Sequence, residues 1–370
     1  MNWWQLNTDL WIDARALFAN TAEEHKMRVG LVYHPVYLEH DTGSHVENAQ
    51  RLIVTMSHLE ENQLKDRLVL LSPRQATIEE LSKVHAPEYI ARIHKQAEGG
   101  GGWLDADTVI SPRSYEAAIY AAGGALTAVD AVMNREVDTA FALVRPPGHH
   151  ATCWQAMGFC LFNNIAIAAK YALANFHIRR ILIVDFDVHH GNGTQDTFYT
   201  DSNVLYFSVH EYPLYPGTGS IDETGARGGE GFTVNVPLLA GCGDDEYQEV
   251  FEDVLAPIAQ RFEPQLIMVS AGYDAHWADS LALMQMSVTG FARLVQILKT
   301  LADLLCQGRL LFTLEGGYHL QALPLSIAAT LDTLRGNREI ADPLGKQQSK
   351  SRTTNFDNFI RMVRSVHKLD

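Results

Sequence analysis

Short, continuously apolar runs recur along the 370-residue chain at 28–33 (RVGLVY), 139–144 (TAFALV), 181–186 (ILIVDF), 204–209 (VLYFSV), 266–270 (LIMVS) and 310–314 (LLFTL). They do not alternate polar with apolar positions, so they predict strands covered on both faces. Amphipathic stretches at Ser114–Met133 and 245–262 predict helices between them. Thr77 with Glu80 predicts a capping box for a helix running towards His94. Together these patterns predict an α/β fold, doubly wound around a mainly parallel sheet. The polar run 346–355 (KQQSKSRTTN) reads as a linker. After it, Phe356, Phe359, Ile360, Val363 and Val366 recur at helical spacing, which predicts a C-terminal helix packing back on the domain.

Composition changes this picture only at its edges. With 46% hydrophobic and 20% charged residues the chain is an ordinary globular one, far from disordered. A formal charge of -15 argues against wrapping DNA or RNA, whose binding surfaces are basic, and favours attraction of a cationic substrate. Cys153, Cys160, Cys242 and Cys306 form no CxxC pair, so a reducing cytoplasm is expected rather than a disulfide framework. The first residues carry acids and lack a basic leader with an apolar core, so no signal peptide is expected. No apolar stretch approaches the roughly 20 residues that span a bilayer.

Four segments place unusual polar residues just after strands, where open parallel sheets form their ligand crevice. Arg145-Pro-Pro-Gly-His149-His150 puts adjacent histidines in a Gly/Pro loop, where they cannot both face a core. In Asp185-Phe-Asp187-Val-His189-His190-Gly-Asn192, period-two geometry sends Asp185, Asp187 and His189 to one side. The plain alternative is a salt-bridged strand end, but the segment holds no Lys or Arg to pair with. Two carboxylates and an imidazole converging there suit a hard-to-borderline metal. In Ser270-Ala-Gly-Tyr-Asp274-Ala-His276, Asp274 can supply a further ligand, with His276 as its rival. In Leu314-Glu-Gly-Gly-Tyr318, the glycine pair lets Tyr318 swing into the crevice. A lone tyrosine there would ordinarily be packing.

RPPGHHA, GFCLFNN, DFDVHHGNGTQ, SAGYD and LEGGY occur in one order over residues 145–318, and with VHAPEYI and HDTGSHVENAQRL they cover nearly the whole chain. Together they resemble the zinc-dependent histone deacetylase family, most of all its class II and bacterial members. The resemblance implies the arginase–deacetylase fold, with an eight-stranded, mainly parallel sheet flanked by helices. It divides the chain into an extension (1–26), the deacetylase catalytic domain (27–345), and a linker with a C-terminal helix (346–370). It implies one catalytic Zn2+ bound by Asp187, His189 and Asp274, and a structural K+ held by Asp185, Asp187, His189, Ser208 and the backbone of Val209. His149 and His150 would be the histidine pair, His150 the general base and later acid, with Asp185 orienting His149 and Asn192 behind His150. Tyr318 would stabilise the oxyanion. Gly158, Phe159 and Tyr215 would line a narrow tunnel, Arg51 would lie beneath the metal pocket, and Leu281 and Asp107 would stand at its rim. Relatives usually carry phenylalanine where Tyr215 stands, and HVENAQRL departs from their common HPE-type rim sequence.

The implied reaction is hydrolysis of N-acyl-lysine in a peptide, a protein or a small acylated amine. No direct contact with nucleic acid or membrane is implied, and a homo-oligomer remains open. Three rivals compete with it. A binuclear-manganese ureohydrolase of the same fold needs carboxylates where this chain has Gly191 and Gly272. Acetylpolyamine deacetylases narrow the entrance with an acidic gatekeeper or a long insertion, whereas spacing after Asp274 places Leu281 at the gatekeeper position and no long insertion is evident. A non-catalytic acyl-amine-binding protein would have lost the tyrosine or the histidine pair.

Overall fold

The computed structural model describes residues 27–347 and 355–369. Its strands run β1 Val29–Val32, β2 Val69–Leu71, β3 Gly102–Trp103, β4 Val109–Ile110, β5 Thr139–Ala142, β6 Ile181–Asp185, β7 Val204–Glu211, β8 Thr233–Leu238, β9 Leu266–Ala271 and β10 Leu310–Leu314. Eight of them form one sheet in the order β2-β1-β5-β10-β9-β6-β7-β8, every pair parallel. β3 and β4 form a separate antiparallel hairpin. The six strands read from apolar runs are buried along their whole length, because helices cover both faces.

The two edge strands differ from these six. β2 is three residues long and largely exposed, and β8 mixes Asn235 and Pro237 among its apolar residues. Proline is tolerated at an edge, where a ladder N–H is dispensable.

Ser114–Met133 forms a helix over the predicted span, and its small-residue face packs on β1, β5 and β10. Two helical expectations need correction. Residues 245–262 are not one regular helix. A single π-helical turn, Phe251–Leu255, separates Asp244–Val250 from Ala256–Phe262. Pro257 has no N–H to offer the carbonyl four residues back, so the α-helical ladder cannot continue unbroken. The Thr77–Glu80 capping box is present, but its helix, Ile78–Leu81, lasts one turn. A second helix, Pro87–Glu98, carries the chain past His94. Ala86, preceding Pro87, is held extended, which separates the two.

The helix Phe356–Val366 packs against the Phe251–Leu255 turn and buries Phe356, Ile360 and Val363. The extension 1–26 and most of the expected linker, 348–354, lie outside the described residues. Among the described residues no helix is long and apolar enough to cross a membrane.

Strand register is what builds the site. Asp185 at the end of β6 lies beside Ser208 of β7 and Ser270 of β9, and Ser270 lies beside Thr313 of β10. The segments after β5, β6, β9 and β10 therefore leave the sheet at one edge and converge over its carboxyl ends.

Candidate active site

Asp187, His189 and Asp274 come together with donor atoms within 4.8 Å of one another, all buried. His189 Nδ1 lies 3.2 Å from both Asp187 Oδ1 and Asp274 Oδ2. Backbone amides aim the carboxylates: Gly316 N–H donates to Asp187 Oδ2 (2.8 Å) and Val188 N–H to Asp274 Oδ1 (3.0 Å). The other oxygen of Asp274, Oδ2, is buried and faces His189 Nδ1 without an aligned hydrogen bond. Burial, with the charge of Asp187 beside it, pushes the Asp274 carboxyl up to about 6. Burial opposes charge on His189, but the two carboxylates outweigh it and lift the imidazole to about 10. A buried oxygen without an aligned hydrogen bond and an excess of negative charge fit a divalent cation, and two carboxylates with one imidazole suit zinc. His276 is not part of this cluster. Its Nδ1 accepts from the Ala278 amide instead. A Cβ at Gly191 would collide with Asp185, and one at Gly272 with Asp187, so carboxylates for a second metal have no room.

The histidine pair is electrostatically split. His149 Nδ1 lies 3.1 Å from Asp185 Oδ2, which also accepts from the Tyr206 hydroxyl (3.0 Å). Burial disfavours charge on His149, but Asp187 and Asp185 overcome it and raise the ring to about 10. His150 Nδ1 lies 2.8 Å from Asn192 Oδ1. Burial and the neighbouring charges of His149 and His189 push His150 well below the usual histidine range. Because Asn192 offers a carbonyl oxygen, His150 carries its proton on Nδ1 and leaves Nε2 with a free lone pair. Opposite shifts in adjacent groups separate a charged partner from a neutral base.

Tyr318 is held by Arg51, expected beneath the metal pocket, and by Asp279, to which no sequence motif points. The Asp279 carboxylate accepts from the amides of Tyr318 (2.7 Å) and His319 (3.0 Å). Arg51 donates to the carbonyls of Gly317 (2.7 Å) and Glu315 (2.5 Å), and its guanidinium lies 4.9 Å from the Tyr318 ring centroid. Glu47 Oε1 accepts from both Arg51 (3.0 Å) and Arg145 (2.7 Å), all three being buried. Burial alone would raise Glu47, but the two arginines bring its carboxyl down to about 2. Burial keeps the Tyr318 phenol protonated despite Arg51, and its hydroxyl has no hydrogen-bond partner among the described residues. It is a free donor. One signal for Glu47 was available, since it stands four residues before Arg51, at helical ion-pair spacing.

The expected tunnel residues gather above this floor. Phe159 stands edge-on to Tyr318 at 5.7 Å, and Tyr215 stands edge-on to His150 at 5.1 Å and to His189 at 6.3 Å between ring centroids. Gly158 has φ +54°, and a Cβ there would drive into the His150 ring, so only glycine lets the wall approach. Asp107 is half-buried on the loop between β3 and β4. Its carboxylate accepts from Thr108 Oγ1 (3.1 Å), whose hydroxyl in turn accepts from the Phe159 amide (3.1 Å). Leu281 is half-buried, two residues beyond Asp279, and its amide donates to that carboxylate (3.1 Å).

Cleaving an acyl bond with water needs a group to take a proton and a donor for the oxygen that gains charge. His150 and Tyr318 stand in those two states beside the carboxylate cluster, which places the chain among the hydrolases. Residues 45–334 match the family model described as Histone deacetylase domain, and the chain belongs to the histone deacetylase family. A protein of Archaeoglobus fulgidus named "Probable deacetylase" is 41% identical over 314 residues, 84% of this chain and 87% of its own length. Mouse "Polyamine deacetylase HDAC10" is 41% identical over 329 residues, 84% of this chain but 49% of its own length. The solved structure titled "Crystal Structure of HDA15 HD domain" superposes with a TM-score of 0.84 at 34% identity, covering 92% of this chain and 94% of that one.

Proposed function

We propose that this deacetylase is a zinc-dependent hydrolase of N-acyl-lysine. The observation that carries the reading is the Asp187–His189–Asp274 cluster beside a neutral His150 and the unbonded hydroxyl of Tyr318. Asp187, His189 and Asp274 would hold the zinc, which would supply a Lewis acid for the amide carbonyl and lower the pKa of water there towards neutral. His150 Nε2 takes the proton of the attacking water and returns it to the departing amine nitrogen. His149, paired with Asp185, keeps positive charge beside that exchange. The Tyr318 hydroxyl donates to the carbonyl oxygen as its charge grows. Asp185 and Ser208, neighbours across β6 and β7, support a structural potassium behind the site, with Asp187, His189 and the backbone of Val209. None of the four cysteines is in a disulfide, which agrees with a cytoplasmic protein.

Phe159 and Tyr215, edge-on to Tyr318 and His150, would wall a slot for an extended methylene chain, with Gly158 and Asp107 at its edge. Leu281 offers no carboxylate to a distal ammonium, and Asp279 nearby is engaged by three backbone amides. Lysine is therefore favoured over polyamine. The likeness to a protein named a polyamine deacetylase keeps the acetylpolyamine reading as the second. Purified protein assayed on acyl-lysine peptides and N-acetylated polyamines separates the two. Higher kcat/KM on the peptides is expected. A tenfold preference for polyamines, about 1.4 kcal/mol, would overturn the lysine assignment while keeping the chemistry. Hydrolysis of neither would overturn the function.

A further inference from the structure

Glu315 opens the loop that ends in Tyr318 and is fully buried. Its side chain faces away from Tyr318, towards the histidine pair. Oε2 accepts from two consecutive amides, Gly148 N–H (2.7 Å) and His149 N–H (3.1 Å), and Oε1 accepts from Ser270 Oγ (3.0 Å). Its own backbone is pinned at both ends: the amide donates to Ala271 O (3.0 Å), and the carbonyl accepts from Arg51 (2.5 Å). On the opposite side of the Gly148 backbone stand the Asn164 amide (2.5 Å from a Cβ built at Gly148) and the Phe162 carbonyl (2.8 Å). The peptide carrying the histidine pair is thus wedged between the Phe162–Asn164 turn and a carboxylate.

We propose that Glu315 is a positioning residue for the reaction, setting the backbone that carries His149 and His150 while Asp185 and Asn192 set their rings. The division follows from the contacts. Asp185 and Asn192 accept at the ring nitrogens of the pair. On the backbone, the Thr194 amide and Asn163 Nδ2 donate to the His149 carbonyl, and Asn192 Nδ2 reaches the His150 carbonyl at 3.5 Å. Glu315 holds the amide side of the same peptides, at Gly148 and His149. A carboxylate accepting two adjacent N–H groups fixes a peptide plane, which one hydrogen bond does not. Because the loop that bears Glu315 also bears Tyr318, the proton carrier and the oxyanion donor share one mount, with Ser270 of β9 as its anchor.

The proposal rests on His150 as the proton carrier, so its test includes a readout independent of turnover. Glu315→Gln keeps the shape but replaces the charged acceptor of the Gly148 and His149 N–H groups by a neutral, weaker amide oxygen, and its NH2 reverses the hydrogen bond to Ser270 Oγ. In the full-length, zinc-loaded protein, kcat per bound zinc on an acetyl-lysine peptide is expected to fall about 10- to 100-fold, since an error near 1 Å at a reacting group has that cost. KM should stay within about threefold, and the acid limb of the kcat–pH profile should be displaced. In 15N-histidine spectra of the same variant without substrate, the His149 and His150 ring signals should move. A merely structural role would lower Tm or the zinc-loaded fraction and leave kcat per zinc, the profile and the ring signals as in the wild type. That result overturns the proposal. Should Glu315→Gln fail to fold, Ser270→Ala frees Oε1 and is expected to give the same changes at about threefold in kcat, and wild-type behaviour there overturns it equally. If the wild type hydrolyses no acyl amine, the proposed function fails, and unmoved ring signals alone still overturn the role of Glu315.

Discussion

At the floor of the crevice Asp187, His189 and Asp274 are each less than a tenth exposed, and the backbone amides of Gly316 and Val188 aim the carboxylates. At the mouth Tyr215 is 37% exposed, and Asp107 and Leu281 sit half-buried on loops. The floor hangs on parallel strands whose register fixes where each side chain emerges. The mouth hangs on the β3–β4 hairpin loop and on connections between strands and helices. A reaction needs distances held to a fraction of an ångström, and buried charge is tolerated only where every partner is in place. Substrate choice needs neither, so it can change at the mouth while the chemistry beneath stays fixed.

That contrast can be broken most severely at the floor. His189→Ala is expected to retain no tightly bound metal and to show only background turnover, as should chelator-treated wild type. Metal analysis with the same assay checks both. Tyr318→Phe leaves the metal in place and removes one donor to the oxyanion. On the order of 100- to 1,000-fold should be lost from kcat, with KM little changed. Near-normal turnover would reduce Tyr318 to packing.

Below the floor, Glu47→Gln leaves two buried guanidinium groups without their shared counter-charge. Urea unfolding should show a loss of about 3–5 kcal/mol. The folded carboxyl of Glu47 titrates at about 2 against an ordinary 4.5, so its stabilisation is full above pH 4.5 and is lost as pH falls towards 2. The variant should accordingly lose less stability than the wild type over that window. The mouth should give the smallest change. Tyr215→Phe is expected to alter kcat/KM on acetyl-lysine peptides by less than about threefold, under 0.7 kcal/mol, and to show its effect in the ranking of acyl groups. A loss as large as that of Tyr318→Phe would erase the distinction between the two regions.

The same division explains what the sequence disclosed. Six buried strands announced themselves as apolar runs. β2 and β8 did not, because β2 is only three residues long and largely exposed, and β8 is interrupted by Asn235 and Pro237. Period-two spacing pointed to Asp187 and His189, but β6 ends at Asp185 and the two residues meet through the bend that follows it. Asp274 and Tyr318 were legible only as members of motifs, since their approach depends on strand order, which no local pattern encodes. Glu315 lay inside the LEGGY motif without a role, and Glu47 inside the rim loop. Both act across more than 90 residues of chain, on His149 and Arg145. Asp279 carried no motif at all. The break before Pro87 was written in the proline itself, which the capping box at Thr77 overshadowed.

Titration of metal-free protein with zinc, following hydrolysis of an acetyl-lysine peptide, tests the central claim most directly. The account predicts no turnover without metal and activity rising linearly to a plateau at one zinc per chain. Full activity in the metal-free protein, or a plateau reached only at two equivalents, would contradict it.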